Sequence, residues 1–149
     1  MSRPTRLKIS LEAVRNNVSV LRPLAPNSLF CAVIKADAYG QGAVRVGEAA
    51  IEAGADWLAV ALIQEAKELR EAGLKAPILV LSQPHPNELK ELKNLGGVRP
   101  TVYTSEGIEE VASIAPKIPV HLKIETGMNR VGASEKNSVF LANQITNSG

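Results

Sequence analysis

A lysine at the end of an apolar run is the first candidate for chemistry in this sequence. Residues 29–34 are predicted to form a buried strand of a parallel sheet, and Lys35 follows them directly. In parallel α/β proteins the active site is built at the carboxyl ends of the strands. Contact with apolar walls lowers the pKa of a lysine and frees its amine as a nucleophile, which is what a Schiff-base lysine requires. The alternative is that Lys35 extends into water at the strand end, with Tyr39 packing locally.

The residues after this lysine allow a phosphate site. Tyr39, Gly40 and Gly42 lead into a predicted helix over residues 43–53. A phenol and backbone N–H groups near a helix start can bind phosphate. Two glycines in a loop are a weak phosphate signal by themselves. The segment is therefore compatible with a phosphate ligand and does not require one.

A second polar segment continues from the end of the fifth predicted strand. Strand alternation places His121, Lys123 and Glu125 on the same face. Charged groups that face a barrel interior are costly unless they are paired, so Lys123, Glu125 and Arg130 are expected to form an organised polar site. The alternative is a strand at a sheet edge, with its polar face in water.

A third candidate is a histidine between two prolines. His85 follows the third predicted strand and could be a catalytic base, but a rigid loop leading into a helix is the favoured interpretation. No second histidine or cysteine has metal-ligand spacing with it, so no metal site is predicted. Walker-type loops, dinucleotide fingerprints and serine elbows are also missing from the sequence.

The composition of the 149 residues indicates an ordinary globular α/β protein. Hydrophobic residues make up 45% and aromatic residues only 3%, so the core must consist of aliphatic side chains, which suit parallel strands covered by helices. A net charge of +2 predicts no nucleic-acid partner, and no apolar run predicts a membrane span. Cys31 is the one cysteine, which excludes an internal disulfide and favours the cytoplasm. It is predicted to be a small buried hydrophobe.

The elements that position these residues alternate regularly. A helix is predicted over residues 10–21 with Ser10 as its N-cap, followed by five strand–helix units. Such alternation implies right-handed crossovers and a parallel sheet, either an open doubly wound sheet or a closed eight-stranded barrel. A complete barrel needs roughly 250 residues, so this chain would supply about five of its eight units. The predicted strands are residues 29–34, 57–62, 78–81, 98–103 and 120–124, and the helices are residues 43–53, 64–72, 87–95, 105–114 and 134–145.

The two polar segments together resemble those of a known enzyme family. Residues 32–40 (AVIKADAYG), with Gly42, closely resemble the cofactor-attachment signature of bacterial alanine racemases, which depend on pyridoxal 5'-phosphate (PLP). Residues 122–132 (LKIETGMNRVG) resemble the second hallmark segment of that family, and the separation of the two segments also matches. The resemblance covers the chain from about Arg6 to Gly132. Two long motifs in register are far more specific than either one alone.

This resemblance implies an α/β fold, a PLP-binding (β/α)8 barrel of fold type III followed by a mostly β domain. Residues 1–149 are then expected to be an incomplete N-terminal barrel domain, with the C-terminal β domain absent. The implied protein is a cytoplasmic, homodimeric isomerase that interconverts L- and D-alanine to supply peptidoglycan precursors. The 149-residue chain alone is expected to be inactive, because in the family the second catalytic base is a tyrosine from that β domain of the partner subunit.

The resemblance also implies roles for single residues. Lys35 would hold PLP as a Schiff base and act as acid and base on one face of the substrate Cα. Tyr39 would contact the cofactor phosphate, and Leu81 would line the cofactor pocket. Arg130 would lie near the ring hydroxyl and the substrate carboxylate. Lys123 matches a lysine that is often carbamylated in the family and that holds this arginine.

One position departs from the family pattern, and other functions remain open. Gln41 stands where the family usually has histidine, which puts in doubt any role of that ring in tuning the site. The main alternative function is a non-enzymatic PLP-binding barrel protein, although such sequences lack the second segment. A racemase for another amino acid, a related barrel decarboxylase and a fragment without a site are further alternatives.

Overall fold

The computed structural model describes residues 4–148 of the chain. Every strand and helix predicted from the sequence is found, with bounds that differ by a few residues. In chain order the elements are α1 (Leu11–Leu21), a 3-10 turn (Arg22–Leu24), β1 (Cys31–Val33), α2 (Lys35–Gly40), α3 (Ala43–Glu52), β2 (Trp57–Val60), α4 (Ile63–Glu71), β3 (Ile78–Val80), α5 (Pro86–Leu92), β4 (Val98–Val102), α6 (Ser105–Ile114), β5 (His121–Leu122) and α7 (Glu135–Asn147).

The order of the strands distinguishes the two architectures that the sequence left open. All four neighbouring pairs are parallel, and the sheet order β1-β2-β3-β4-β5 follows the chain order. A doubly wound sheet reverses its strand order at a switch point, whereas a barrel adds each strand beside the one before. The sheet is therefore five consecutive units of a (β/α) barrel, and the predicted fold class is confirmed.

One face of this sheet is covered by helices and holds the core. Its strand residues alternate in sequence and are almost completely inaccessible to solvent, as the period of two requires. Helices α4, α5 and α6 pack aliphatic side chains against them. The buried residues of the sheet are Leu58, Val60, Ile78, Val80, Val98 and Val102, with Ile34 directly after β1, and the helix residues are Ala66, Leu69, Leu89, Leu92, Ile108 and Val111.

Strand β1 differs from its prediction as a fully buried strand. Ile34, which faces the helices, is buried, but Val33 on the opposite face is 43% exposed. Cys31 shares that face with Val33 and is exposed, so its prediction as a buried hydrophobe is wrong. Leu29 precedes the strand and is 71% exposed. The sequence could not show which face of β1 is buried, because both faces of the strand carry apolar residues.

The helix ends follow local capping rules. The Ser10 hydroxyl accepts a hydrogen bond from the Ala13 N–H at 3.2 Å, which confirms the predicted N-cap of α1. Ser134 occupies the predicted cap position of α7, but its side chain makes no capping hydrogen bond. None of the helices in residues 4–148 combines the length and the apolar character that crossing a bilayer demands.

Candidate active site

A cleft of about 490 Å³ opens on the face of the sheet that the helices leave uncovered, at the carboxyl ends of the strands. Five of the residues singled out in the sequence line it, namely Lys35, Leu81, His121, Lys123 and Arg130. They meet there because parallel strands of a barrel end at the same rim. The other lining residues are Ala61, Leu79, Ser82, Thr101 and Val131.

The charged side chains that line this cleft are all basic. Lys35 and Lys123 are partly buried in it, and Arg130 is exposed at its mouth. All the lining residues belong to the described part of the chain, and none of them is aspartate or glutamate. A concave surface with several cations and apolar walls attracts anions such as phosphate and carboxylate groups.

The chain after Lys35 makes an unusual turn. Ala36, Asp37, Ala38 and Tyr39 have φ between 52° and 58°, so α2 is a left-handed turn and not an ordinary helix. Each such residue costs roughly 1–2 kcal/mol, because its Cβ approaches a carbonyl oxygen. The sequence predicted a loop here and gave no sign of this conformation, since residues other than glycine rarely adopt it.

Hydrogen bonds hold this left-handed turn at both ends. The Ala38 N–H donates to the Ile34 carbonyl at 2.9 Å, and the methyl group of Ala38 is buried in the core. The Asp37 carboxylate accepts from the Ala43 N–H at 2.7 Å and so joins the turn to the start of α3. The Asp37 carbonyl accepts from the N–H groups of Gln41 and Gly42, each at 2.9 Å. The strained conformation is thus compensated by local hydrogen bonds within residues 34–43 and by the burial of Ala38 in the core.

Tyr39 and His85 lie away from the lining of the cleft. Tyr39 is the last of the four non-glycine residues with positive φ in the turn and is 61% exposed. Gln41 lies two residues further along the chain and is also exposed. His85 is exposed at the start of α5, where its Nδ1 accepts from the Asn87 N–H at 3.4 Å. The interpretation of His85 as part of a loop leading into a helix is confirmed.

Sequence reasoning missed two residues, Trp57 and Arg99, that lie beside the cleft residue His121. The rings of Trp57 and His121 meet edge to face, with centroids 5.9 Å apart. The Arg99 guanidinium lies 4.7 Å from the centre of the Trp57 ring. Partial burial and the Arg99 cation lower the pKa of His121 from its ordinary value, which favours the neutral imidazole. A signal existed, because Arg99 interrupts an apolar strand at a position that alternation assigns to this face.

Glu125 differs from the expectation that it would pair with the basic residues of the cleft. Its carboxylate accepts from the backbone N–H of Gly127 at 2.6 Å and from that of Arg130 at 3.3 Å. It therefore orders the loop that carries Arg130. The loop closes tightly on Glu125, since a Cβ on Gly132 would lie 2.8 Å from the Glu125 backbone nitrogen.

Glu125 should make the stability of this loop depend on pH. Backbone hydrogen bonds, those from Asn129 and Gly127 foremost, lower its pKa from the usual 4.5. The contribution of the carboxylate is therefore complete above the unfolded-state pKa and is lost as the pH falls through the folded-state value. We expect Glu125→Gln to lower the free energy of unfolding by a constant amount above about pH 6, and by less as the pH falls below about 4.5. Denaturant unfolding of both proteins across this range measures the difference, and a gap that persists undiminished in acid would contradict the prediction.

The fold and the cleft together define a class, the (β/α)-barrel domain with a lysine and further basic residues at the carboxyl ends of its strands. A family model described as "Alanine racemase, N-terminal domain" matches residues 9–149. The chain belongs to this family.

Relatives and solved structures agree with this assignment. The alanine racemase of Treponema denticola is 47% identical over 148 residues, which are 96% of this chain and 39% of that protein. "Alanine racemase 2" of Oceanobacillus iheyensis is 41% identical over 152 residues, with 98% and 38% covered. The chain thus spans about two fifths of the length of these curated relatives.

The fold itself is shared with crystal structures. The alanine racemase of the D-cycloserine producer Streptomyces lavendulae superposes with a TM-score of 0.86 at 35% identity, covering 99% of this chain and 40% of that one. The Bacillus anthracis alanine racemase with bound L-Ala-P gives a TM-score of 0.83 at 33% identity, covering 99% and 38%. This chain therefore spans about two fifths of each of these two solved chains.

Proposed function

We propose that this chain carries the PLP-binding part of a racemase that interconverts L- and D-alanine. The observation that carries the proposal is the cleft in which Lys35, Lys123 and Arg130 meet at the ends of β1 and β5. Membership of the alanine racemase family supports it, and relatives named as alanine racemases favour it over a non-enzymatic PLP-binding protein.

The residues of the cleft suit PLP in size and chemistry. Its volume of about 490 Å³ falls within the range of small-molecule sites, roughly 300–1,000 Å³. PLP is a flat ring with an aldehyde, a hydroxyl group and a phosphate, so it needs an amine, apolar walls and cations. Lys35 offers the amine, Leu79 and Leu81 offer apolar walls, and Lys123 and Arg130 offer positive charge.

Lys35 has the central role in this proposal. Its position at the rim of the barrel, partly buried, directs its amine into the cleft, where it would bind the cofactor covalently. Bound PLP supplies an electron sink that stabilises the negative charge left when the substrate Cα proton departs. The released Lys35 amine would take and return that proton on one face of the Cα.

The second polar segment, residues 122–132, would orient the substrate and balance the positive charge of the cleft. Arg130 can bind a carboxylate through two parallel hydrogen bonds, and the loop held by Glu125 fixes its backbone. If Lys123 is carbamylated, its anionic end would pair with Arg130 and relieve the excess of positive charge. Leu81 would pack against the cofactor, and Tyr39, at the end of the left-handed turn, would contact the phosphate.

The proposal extends to features that only the family resemblance supports. Racemisation needs a second acid or base on the opposite face of the Cα, which the family takes from the partner subunit. We therefore infer a homodimer that produces D-alanine for peptidoglycan precursors. A cytoplasmic location is part of the same proposal, and it suits a chain whose one cysteine cannot form an internal disulfide.

A direct assay of the intact native protein tests this function. After incubation with PLP and L-alanine, we expect chiral chromatography to show D-alanine approaching an equal mixture. L-serine is the matched comparison, and we expect slower conversion of it. Formation of neither D-amino acid by a protein that binds PLP on Lys35 would favour the non-enzymatic alternative.

A further inference from the structure

Glu65 joins the end of one strand to the turn that follows the candidate cofactor lysine. It lies in the first turn of α4, next to the carboxyl end of β2. One carboxylate oxygen, Oε2, accepts from the N–H groups of Ala61 at 2.6 Å and Leu62 at 3.0 Å. The other oxygen, Oε1, accepts from the Ala36 N–H at 2.5 Å.

This set of contacts exceeds what a helix cap requires. In a capping box, the glutamate at the third helical position accepts from the N-cap N–H, which is the bond to Leu62 here. The bond to Ala36 reaches a residue 29 positions earlier in the chain. Ala36 opens the left-handed turn, and the first N–H groups of a helical turn have no partner within the turn.

The bond to Ala36 bears directly on Lys35. The Ala36 nitrogen and the Lys35 carbonyl belong to the same planar peptide group, so an acceptor that fixes this N–H also fixes the backbone from which the Lys35 side chain projects. Glu65 anchors that group to the end of β2, a strand whose residues Leu58 and Val60 are fully buried.

We propose that Glu65 is a positioning residue for Lys35, which ties the peptide group after the lysine to the rim of the barrel and directs the amine into the cleft. This inference rests on the proposed function, in which Lys35 binds PLP. Glu65 is not a lining residue of the cleft, so it acts through Lys35 and not on the cofactor.

The test compares three variants of the intact native protein. Glu65→Gln removes the charge and replaces one acceptor oxygen with an NH2 group. Glu65→Asp keeps a carboxylate at the start of α4 but is one methylene too short to hold Ala36 and Leu62 together. Glu68→Gln is the matched control on the same helix, since its carboxylate is exposed and accepts a 3.3 Å bond from the Gln64 side chain.

Two readouts separate positioning from simple capping. In the cofactor-free protein, hydrogen–deuterium exchange of residues 35–43 reports on the turn. On addition of PLP, borohydride trapping followed by peptide mapping gives the rate at which the cofactor is captured at Lys35. Loss of a charge-assisted hydrogen bond predicts capture roughly 10- to 100-fold slower for Glu65→Gln and Glu65→Asp, with faster exchange of the turn. Glu68→Gln should match the wild type in both.

Each outcome distinguishes this inference from the proposed function. If the wild type captures PLP at Lys35 and both Glu65 variants capture it equally fast, the positioning role is refuted and the proposed function stands. Should Glu65→Gln unfold, Glu65→Asp decides, because it retains the helix cap. If the wild type itself captures no PLP at Lys35, the proposed function has failed first.

Discussion

Replacement of Lys35 by alanine is expected to abolish covalent capture of PLP and to lower kcat/KM for alanine by about 10⁴-fold. Both effects have one cause, because the same amine is proposed to bind the cofactor and to transfer the proton at the Cα. Removing it eliminates the nucleophile and the acid–base group together. Borohydride reduction with peptide mapping measures the first effect, and a racemisation assay measures the second.

A matched lysine elsewhere serves as the control for this result. Lys90 is exposed on α5, so Lys90→Ala changes the charge equally without touching the cleft. We expect Lys90→Ala to retain capture and turnover. Trapping of PLP at Lys123 in the Lys35→Ala protein, with turnover preserved, would show that the wrong lysine has been assigned, since Lys123 lines the same cleft.

The second large effect is expected at Arg130. Arg130→Ala should lower kcat/KM for alanine by about 100-fold, the loss that two hydrogen bonds to a charged group would produce. Arg130→Lys should recover only part of this loss, because an ammonium group cannot bind a carboxylate through two parallel hydrogen bonds. Steady-state kinetics of the intact native protein measure both variants, and capture of PLP at Lys35 should persist in each.

Arg45 provides the control for this prediction. It lies on the exposed side of α3, where it contacts Glu48, and it is 73% exposed. Arg45→Ala removes the same charge at a distance from the cleft and should leave kcat/KM unchanged. If Arg130→Ala also leaves kcat/KM within about threefold of the wild type, a difference under 1 kcal/mol, Arg130 does not bind the substrate carboxylate.

Glu125 shows why the candidate site was only partly predictable. Strand alternation correctly placed His121 and Lys123 on the face that forms the cleft, because that period is a property of a few neighbouring residues. The expectation that Glu125 pairs with basic side chains was wrong, because its carboxylate turns to the backbone of the following loop. The curvature of a loop, which decides such contacts, does not follow from residue spacing.

The same distinction holds for Glu65 and the left-handed turn. Residues 36–39 contain no glycine, so the sequence gives no indication of their positive φ. Glu65 likewise cannot be distinguished in the sequence from any other glutamate in the first turn of a helix. The bond between Glu65 and Ala36 exists only when β1 and β2 are paired. Contacts of this kind bridge separate segments of the chain, so local patterns cannot contain them.

The sequence alone determined the alternation of strands and helices, the aliphatic core and the two polar segments. Each of these depends only on composition and on the periodicity of neighbouring residues. The tertiary structure decided three further matters: the sequential strand order that defines a barrel, the exposure of Cys31 on its open face, and the meeting of Lys35 with Arg130 in one cleft. The physical reason is that these depend on how whole elements pack. Packing follows from the summed burial of many side chains, and no single stretch of sequence specifies it.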